Sequence, residues 1–327
     1  MSTAKLHGYS LEEIVASVRE YAGVSGKGPI ASVATMIDVS DPVHAPGDDG
    51  AIIEVGVESI VACGEALSPP FVQADPYGAG IAAILANVND VAAMGGIPLG
   101  IVNTLVGPRE MTSEVMRGMV DAAAMYDVPI VGGHLTERDG ETSVSAFAIG
   151  EAPGVLSMAH VRPGQRILFG CFLDGEMRSD FPFFRSIDEQ QHRFADDVRV
   201  LAKVSAEGAA VAAKDVSMAG PLGSLAMLLE FAGLGADVDL EALPVPENTD
   251  FLKWLICFPS YAFWLTCEPD TVDACRTIFH EADLHCEEVG TVKSDSMITL
   301  SALGAQHDLL DFSNDVVTGL WGTAKSG

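Results

Sequence analysis

The stretch QADPYGAGIAAILANVNDVAAMGGIPLG, from Gln73 to Gly100, decides how the rest of the chain is read. It opens with an acidic turn, Asp75-Pro76-Tyr77-Gly78, and closes on Gly95-Gly96-Ile97-Pro98, where Gly and Pro stop a helix. In between, Ile81, Ile84, Leu85, Val88 and Val91 recur at helical spacing, while Ala82, Ala83, Ala86, Ala92 and Ala93 keep the remaining surface small and apolar. Such a helix is buried nearly all round. It nevertheless carries Asn87 and Asp90 three residues apart, which puts an amide and a carboxylate on nearly one face. A buried carboxylate is costly unless a cation or several donors compensate it. The plainer alternative makes Asn89 and Asp90 a solvated stripe and Asn87 a satisfied core amide.

Other acidic loops weigh on that choice. Gly47-Asp48-Asp49-Gly50 stands just before a strand, Ala51 to Val55, and Asp75 stands at the helix entrance. Gathered together, these carboxylates could not all stay ionised without a divalent cation among them. Ligation by oxygen alone, from loops and one helix, suits magnesium.

Composition narrows the function classes. The 327 residues are 48% hydrophobic and 20% charged, ordinary for a globular chain of two domains or one large one. The charge balance is not ordinary: 18 Lys plus Arg face 46 Asp plus Glu, a formal net charge of -28. A surface that acidic disfavours nucleic acid and anionic membranes as partners. The six Cys show no CxxC spacing and read as reduced core thiols. The N-terminus lacks an apolar signal core and no apolar run reaches membrane-spanning length, so the cytoplasm is the expected compartment.

Residues 10 to 22 predict a first helix with Ser10 as N-cap and Glu13 completing a capping box. The Gly-rich loop Ala22 to Pro29 carries one Lys, Lys27, without Walker A spacing, and by itself reads as a flexible connection. Strands are expected at Ile30 to Val39, Ala51 to Val55, Ser59 to Cys63 and Ile101 to Val106. Thr112 or Ser113 should cap a helix reaching about Tyr126, and a short buried strand, Val128 to Val131, should deliver Gly132-Gly133-His134. Two glycines at a strand end let the backbone approach a ligand, although His134 alone is compatible with an ordinary surface or core histidine. Thr142 to Gly150 closes this half as a strand.

Glu151 to Gly154 breaks the pattern and Val161 to Arg166 restarts it before a strand at Ile167 to Phe172, which divides the chain into 1–155 and 156–327. Residues 173 to 188 read as a loop, Gln190 to Ala213 as one helix or two, and the tail from His307 as partly loose. Lys214 to Glu230 places Asp215 before a loop with Gly220 and Gly223 and a helix burying Leu222, Leu225, Leu228 and Leu229. Backbone N–H groups at a helix start beside glycines form an anion site, though Asp215 as a cap and the glycines as a turn fit equally. Strands and helices recur in both halves, a mixed α/β (α+β) chain of two domains.

GDDG, DPYGAG, ANVNDVAAMGGIPLG and VGGH, in that order, resemble the ATP-binding half of the aminoimidazole ribonucleotide (AIR) synthetase superfamily, with Asn89 to Gly95 its most specific piece. That group includes thiamine-monophosphate kinase, selenophosphate synthetase and the hydrogenase-maturation carbamoyl dehydratase. The resemblance implies an N-terminal domain that binds ATP and dimerises by joining sheets into a barrel, and a C-terminal AIR synthase-like domain. It implies magnesium on Asp48, Asp49, Asp75, Asp90 and Asp215, nucleotide at Asn87, Gly132, Gly133, Gly220 and Gly223, and a phosphate contact from Lys27. Lys27, Asp90 and His134 become the catalytic candidates, the role of His134 staying open. The implied reaction moves or uses the ATP phosphate to activate an oxygen of a small-molecule acceptor.

The departures are also informative. The Gly-rich loop has no Cys, the last residues are Lys325-Ser326-Gly327, and Pro259-Ser260-Tyr261 stands where some relatives carry Gly-Gly-Glu-Asp. These weigh against selenophosphate synthetase-like, carbamoyl dehydratase-like and thiamine-monophosphate kinase-like activities in turn. A nucleotide-binding partner subunit without turnover is the alternative from another class, and acidity that merely solvates the surface is the third.

Overall fold

The computed structural model describes residues 5–34, 36, 47–190 and 192–320, which fold as two compact units. The first comprises Asp49–Val155 and Gln190–Ala206. Its sheet is built from β1 (Ala51–Val55), β2 (Glu58–Ala66), β3 (Ile97–Gly107), β4 (Ile130–Glu137) and β5 (Ser143–Ala152) in the order β1-β2-β5-β3-β4. All pairs are antiparallel except β3 with β4. Helices Pro76–Ala93 and Arg109–Tyr126 pack on one face, where alternate residues Val61, Leu105, Ala146 and Ala148 are buried. The opposite face carries Ile53, Phe147 and Ile149 at 49%, 42% and 46% exposure.

The two helices touch backbone to backbone. A methyl at Gly80 would lie 2.0 Å from the Val115 carbonyl oxygen, and one at Gly118 would lie 2.1 Å from that of Tyr77. Only glycine permits that approach, and it brings Ala79, Ala83, Val115, Met119 and Ala122 into a dry interface. Asp75 caps the first helix, its Oδ1 accepting from the Gly78 N–H at 2.8 Å with Pro76 at the first helical position. At the other end the Ser205 hydroxyl donates to the Gly95 carbonyl at 3.1 Å. Arg199 donates to the carbonyls of Tyr126 (3.1 Å) and Asp127 (3.2 Å), closing the C-terminus of the second helix. These bonds tie Gln190–Ala206 to this unit.

The second unit comprises Met1–Asp48, Leu156–Glu189 and Glu207–Gly327. Its strands are β6 (Arg166–Cys171), β7 (Glu176–Met177), β8 (Phe183–Arg185), β9 (Ala212–Asp215), β10 (Ala236–Asp239), β11 (Phe258–Pro259), β12 (Ala262–Cys267), β13 (His285–Val292), β14 (Met297–Ala302) and β15 (Ala305–Asp311). A seven-stranded sheet runs β15-β14-β10-β13-β6-β12-β9, and β11-β8-β7 form a small second sheet. Phe169 meets Trp254 edge to face and Trp264 at a tilt in the core, with the Trp264 indole N–H donating to the Pro221 carbonyl at 2.6 Å. Helix Leu11–Glu20 has the expected capping box at Ser10 and Glu13. It is held at its far end by Arg19, which bonds the Leu309 carbonyl (2.7 Å) and pairs with Asp315 (2.9 Å).

Several expectations change. Ile30–Ala34 is a short helix, not the start of a strand; the other positions of that expected strand, except Met36, lie outside the described residues. The second helix starts at Arg109 after Pro108, and Thr112 bonds back to the Pro108 carbonyl instead of capping. Of the one or two helices expected over Gln190 to Ala213, the structure has two short ones, Phe194–Asp197 and Val200–Ala206, preceded by Ile187–Gln190, and the end of that range belongs to β9. Within the tail expected to be partly loose, β15 runs to Asp311 and Val317 and Thr318 are buried, while residues 321–327 lie outside the described residues. The linear division at 155/156 is crossed twice, by residues up to Asp48 and by Gln190–Ala206. All six Cys are free. No helix among the described residues is long and apolar enough to cross a membrane.

Gly80→Ala should destabilise the protein by about 1–3 kcal/mol or more, since the added methyl meets backbone that cannot rotate away. A thermal denaturation curve unchanged by the substitution would contradict the close helix contact.

Candidate functional site

In the first unit, helix Pro76–Ala93 is buried along its polar positions as well as its apolar ones. Asn87 and Asn89 are inaccessible and Asp90 is 6% exposed, so the solvated-stripe alternative does not describe this helix. Asp49, in the turn before β1, and Asp90 offer carboxylate oxygens within 4.8 Å of one another. Two hard, anionic oxygen donors at that separation suit one divalent cation of the magnesium or calcium type, and no soft ligand is needed. The Cys63 thiol beside them donates to the Asn87 carbonyl (3.4 Å) and to its Oδ1 (3.6 Å). Burial, and then the charges of Asp90 and Asp49, push that thiol far above its ordinary range and keep it protonated. Asn87 completes its own bonding by donating to the Ala83 carbonyl at 2.8 Å, so it is a satisfied core amide that orders the helix around Asp90.

The remaining candidates of this unit have other positions. Asp75 is the helix cap already described. Gly132, Gly133 and His134 lie within β4, a strand longer than expected and exposed at the sheet edge instead of buried. Gly133 is explained by its neighbour, since a methyl there would lie 2.3 Å from Asn103 Oδ1; Gly132 has no such crowding. His134 is exposed on the open face of the sheet, its Nε2 3.2 Å from the Thr136 hydroxyl.

In the second unit, Asp48 is turned inward. It accepts from the Ser157 hydroxyl (2.5 Å) and the Met158 N–H (2.7 Å), which makes it a structural acceptor for the short 3-10 turn Met158–His160. Burial raises its carboxyl above the usual range, against the pull of Ser157, Met158, His160 and Lys214. Asp215 ends β9 and forms a buried ion pair with Lys214, a partner the sequence offered directly beside it. Lys27 is half-buried in the turn after the short helix Ala22–Ser25. Gly220 opens helix Gly220–Glu230 at φ +72° against the backbone of Leu255 and Ile256, and Gly223 faces Val24. Both glycines are therefore required by packing, and the first-turn N–H groups of that helix carry no side-chain cap.

Ser157→Ala removes a donor that favours ionised Asp48, so it should cost about 1.5–3 kcal/mol at neutral pH. Because that hydroxyl lowers the Asp48 pKa, the cost is complete above the folded-state pKa and fades as pH falls through it. Chemical denaturation at pH 7.5 and pH 4 reads the difference; an equal cost at both would oppose this account.

Residues 47–152 match the model of the AIR synthase related protein, N-terminal domain, and residues 185–302 that of the C-terminal domain. The uncharacterized protein sll0787 of Synechocystis sp. is 30% identical over 280 residues, covering 84% of this chain and 87% of the relative. The uncharacterized protein MJ0640 of Methanocaldococcus jannaschii is 27% identical over 323 residues, 95% of this chain and 99% of the relative. T. maritima PurL complexed with ATP superimposes with a TM-score of 0.75 at 19% identity, over 95% of this chain and 52% of the PurL chain, a likeness of fold. The chain thus spans about half of that PurL. With both domain models matched in order and a relative of nearly equal length at 30% identity, the chain belongs to the AIR synthase related proteins.

Proposed function

We propose that this protein is an enzyme that binds Mg-ATP and uses the ATP phosphate to activate an oxygen of a small-molecule acceptor. The observation that carries the reading is the carboxylate pair Asp49 and Asp90, the latter buried on a helix otherwise made of core residues. A fold spends a buried carboxylate where something positive is to be held. Magnesium, when bound, neutralises phosphate charge and orients the transferred group. Asp49 and Asp90 would hold it, and Asn87 and the Cys63 thiol keep Asp90 in place without competing as ligands, one satisfied and the other protonated. Lys27 is the proposed phosphate contact, a point charge with glycines on either side. Asp215, paired with the buried Lys214, is the proposed acidic group of the second unit, and the uncapped start of helix Gly220–Glu230 the proposed anion-binding element.

The same reading proposes a homodimer through the open face of the five-stranded sheet. Ile53, Phe147 and Ile149 stand exposed there with Val55, an apolar patch on a protein of net charge -28. A second copy burying this face against itself would satisfy it by two-fold symmetry.

Calorimetric titration should show MgATP binding that is lost without magnesium and lost in Asp90→Asn, while that variant retains the native circular dichroism spectrum. Asp215→Asn read in the same way tests its assignment to magnesium. Binding of equal strength with and without the metal, or undiminished in Asp90→Asn, would sink the metal-site reading. Light scattering should give twice the chain mass, and Phe147→Lys should shift the population toward monomer; a wild-type monomer at micromolar concentration would refute the dimer.

A further inference from the structure

Helix Gly220–Glu230 contacts the Lys27-bearing segment at one end and the C-terminal segment at the other. At its start, a methyl on Gly223 would lie 2.7 Å from Val24 Cγ2, and one on Gly23 would lie 2.0 Å from the Met218 carbonyl oxygen. The segment therefore docks glycine to backbone just before Lys27. At its end stands Glu230, fully buried. One Glu230 carboxylate oxygen accepts from the N–H groups of Val317 (2.8 Å) and Gly319 (3.3 Å), the other from the Thr318 N–H (2.8 Å) and hydroxyl (2.5 Å). Four donors on one carboxylate make a strong clamp, since each would be orphaned if it left. Gly319, at φ +70°, lies where a methyl would come 2.6 Å from Ala31 Cβ. Ala31 belongs to the turn that Lys27 begins, with the Ile30 N–H donating to the Lys27 carbonyl at 3.0 Å and the Ala31 N–H to that of Gly28 at 3.3 Å. Between the two anchor points Val24, Ser25, Val316 and Val317 border a cavity of about 150 Å³, so the segment has room to shift wherever it is not pinned.

We propose that Glu230 is a positioning residue for Lys27: it clamps the strap Val317–Gly319 against Ala31 and so fixes, from the far side, the glycine-flanked segment that presents the lysine to phosphate. The inference rests on the reading of Lys27 as a phosphate contact. A lysine between Gly26 and Gly28 loses much chain freedom on meeting a ligand, and a segment pinned on both sides has already given up that freedom on folding. The clamp thus acts on phosphate affinity although Glu230 itself is inaccessible.

Glu230→Gln keeps the size and one acceptor oxygen but turns an NH₂ group toward N–H donors. Amide hydrogen exchange at residues 27 to 32 should quicken in this variant, with the rest of the second unit's protection retained. MgATP affinity should fall about tenfold, the scale of a modest coupling between sites, while adenosine affinity stays unchanged. In a Lys27→Ala background the same substitution should have no further effect on MgATP, because coupled residues are not additive. Unchanged exchange at 27 to 32 overturns the clamp, whether or not nucleotide binds. Parallel losses for adenosine and MgATP, or additive losses in the double variant, overturn the positioning of Lys27. Unmodified protein that binds no MgATP refutes the nucleotide reading and with it the phosphate role, and hydrogen exchange then decides the clamp by itself. Should Glu230→Gln fail to fold, Thr318→Val, which removes the shortest of the four bonds, should show the same pattern at smaller amplitude; wild-type exchange and affinity in it would overturn the proposal.

Discussion

Burying a carboxylate on a core helix is expensive, and the arrangement of the first unit follows from having to do so at Asp90. The helix that bears it is pressed against its neighbour through Gly80 and Gly118 so closely that no side chain intervenes, and against the sheet through small residues. Its ends are then tied by Asp75 at the entrance and by the Ser205 bond at Gly95. Asn87 spends its hydrogen bonds on the helix itself and on Cys63, which leaves the carboxylate in a tightly packed lining. Packed surroundings of that kind are what a metal or phosphate site requires, because its groups must be held before the ligand arrives.

Local chemistry was legible in the sequence wherever it is decided by residues close along the chain. The central helix was bracketed by Pro76 and Gly95, and the first helix by Ser10 and Glu13, because caps and breakers act within a turn. The order of acidic and glycine motifs gave the family. What the sequence hid depends on partners far away. Ile30 to Ala34 is apolar enough for a strand, yet it turns as a helix; no local signal opposes either choice. The Gly132-Gly133 pair looked like a ligand approach, but Gly133 is small to make way for Asn103 on the neighbouring strand.

The acidic motifs illustrate the same limit within the candidate site. Asp48 and Asp49 are adjacent, but one ties down Ser157 and Met158 in the second unit while the other lies beside Asp90 in the first. Sequence spacing showed that two carboxylates were present; which one faces which group is a tertiary fact. Lys214 and Glu230 were missed for a related reason, each read as an ordinary part of its element. The scarcity of basic residues, 18 in the whole chain, was the available signal for Lys214. A glutamate ending a leucine-rich helix, with no lysine nearby, was the available signal for Glu230.

Neither compact unit is a continuous run of chain, and this sets the order in which the protein can assemble as it is synthesised. The five-stranded unit lacks the Arg199 and Ser205 bonds until residues 190–206 have emerged, well after its last strand. Helix Leu11–Glu20 is held through Arg19 by the Leu309 carbonyl, 290 residues further along, and by Asp315. Contacts of this helix with Phe251–Leu255, β14 and β15 all bridge long separations along the chain, which gives the unit a high contact order. A net charge of -28, which keeps partly folded chains apart by mutual repulsion, suits a protein whose units close over such long separations.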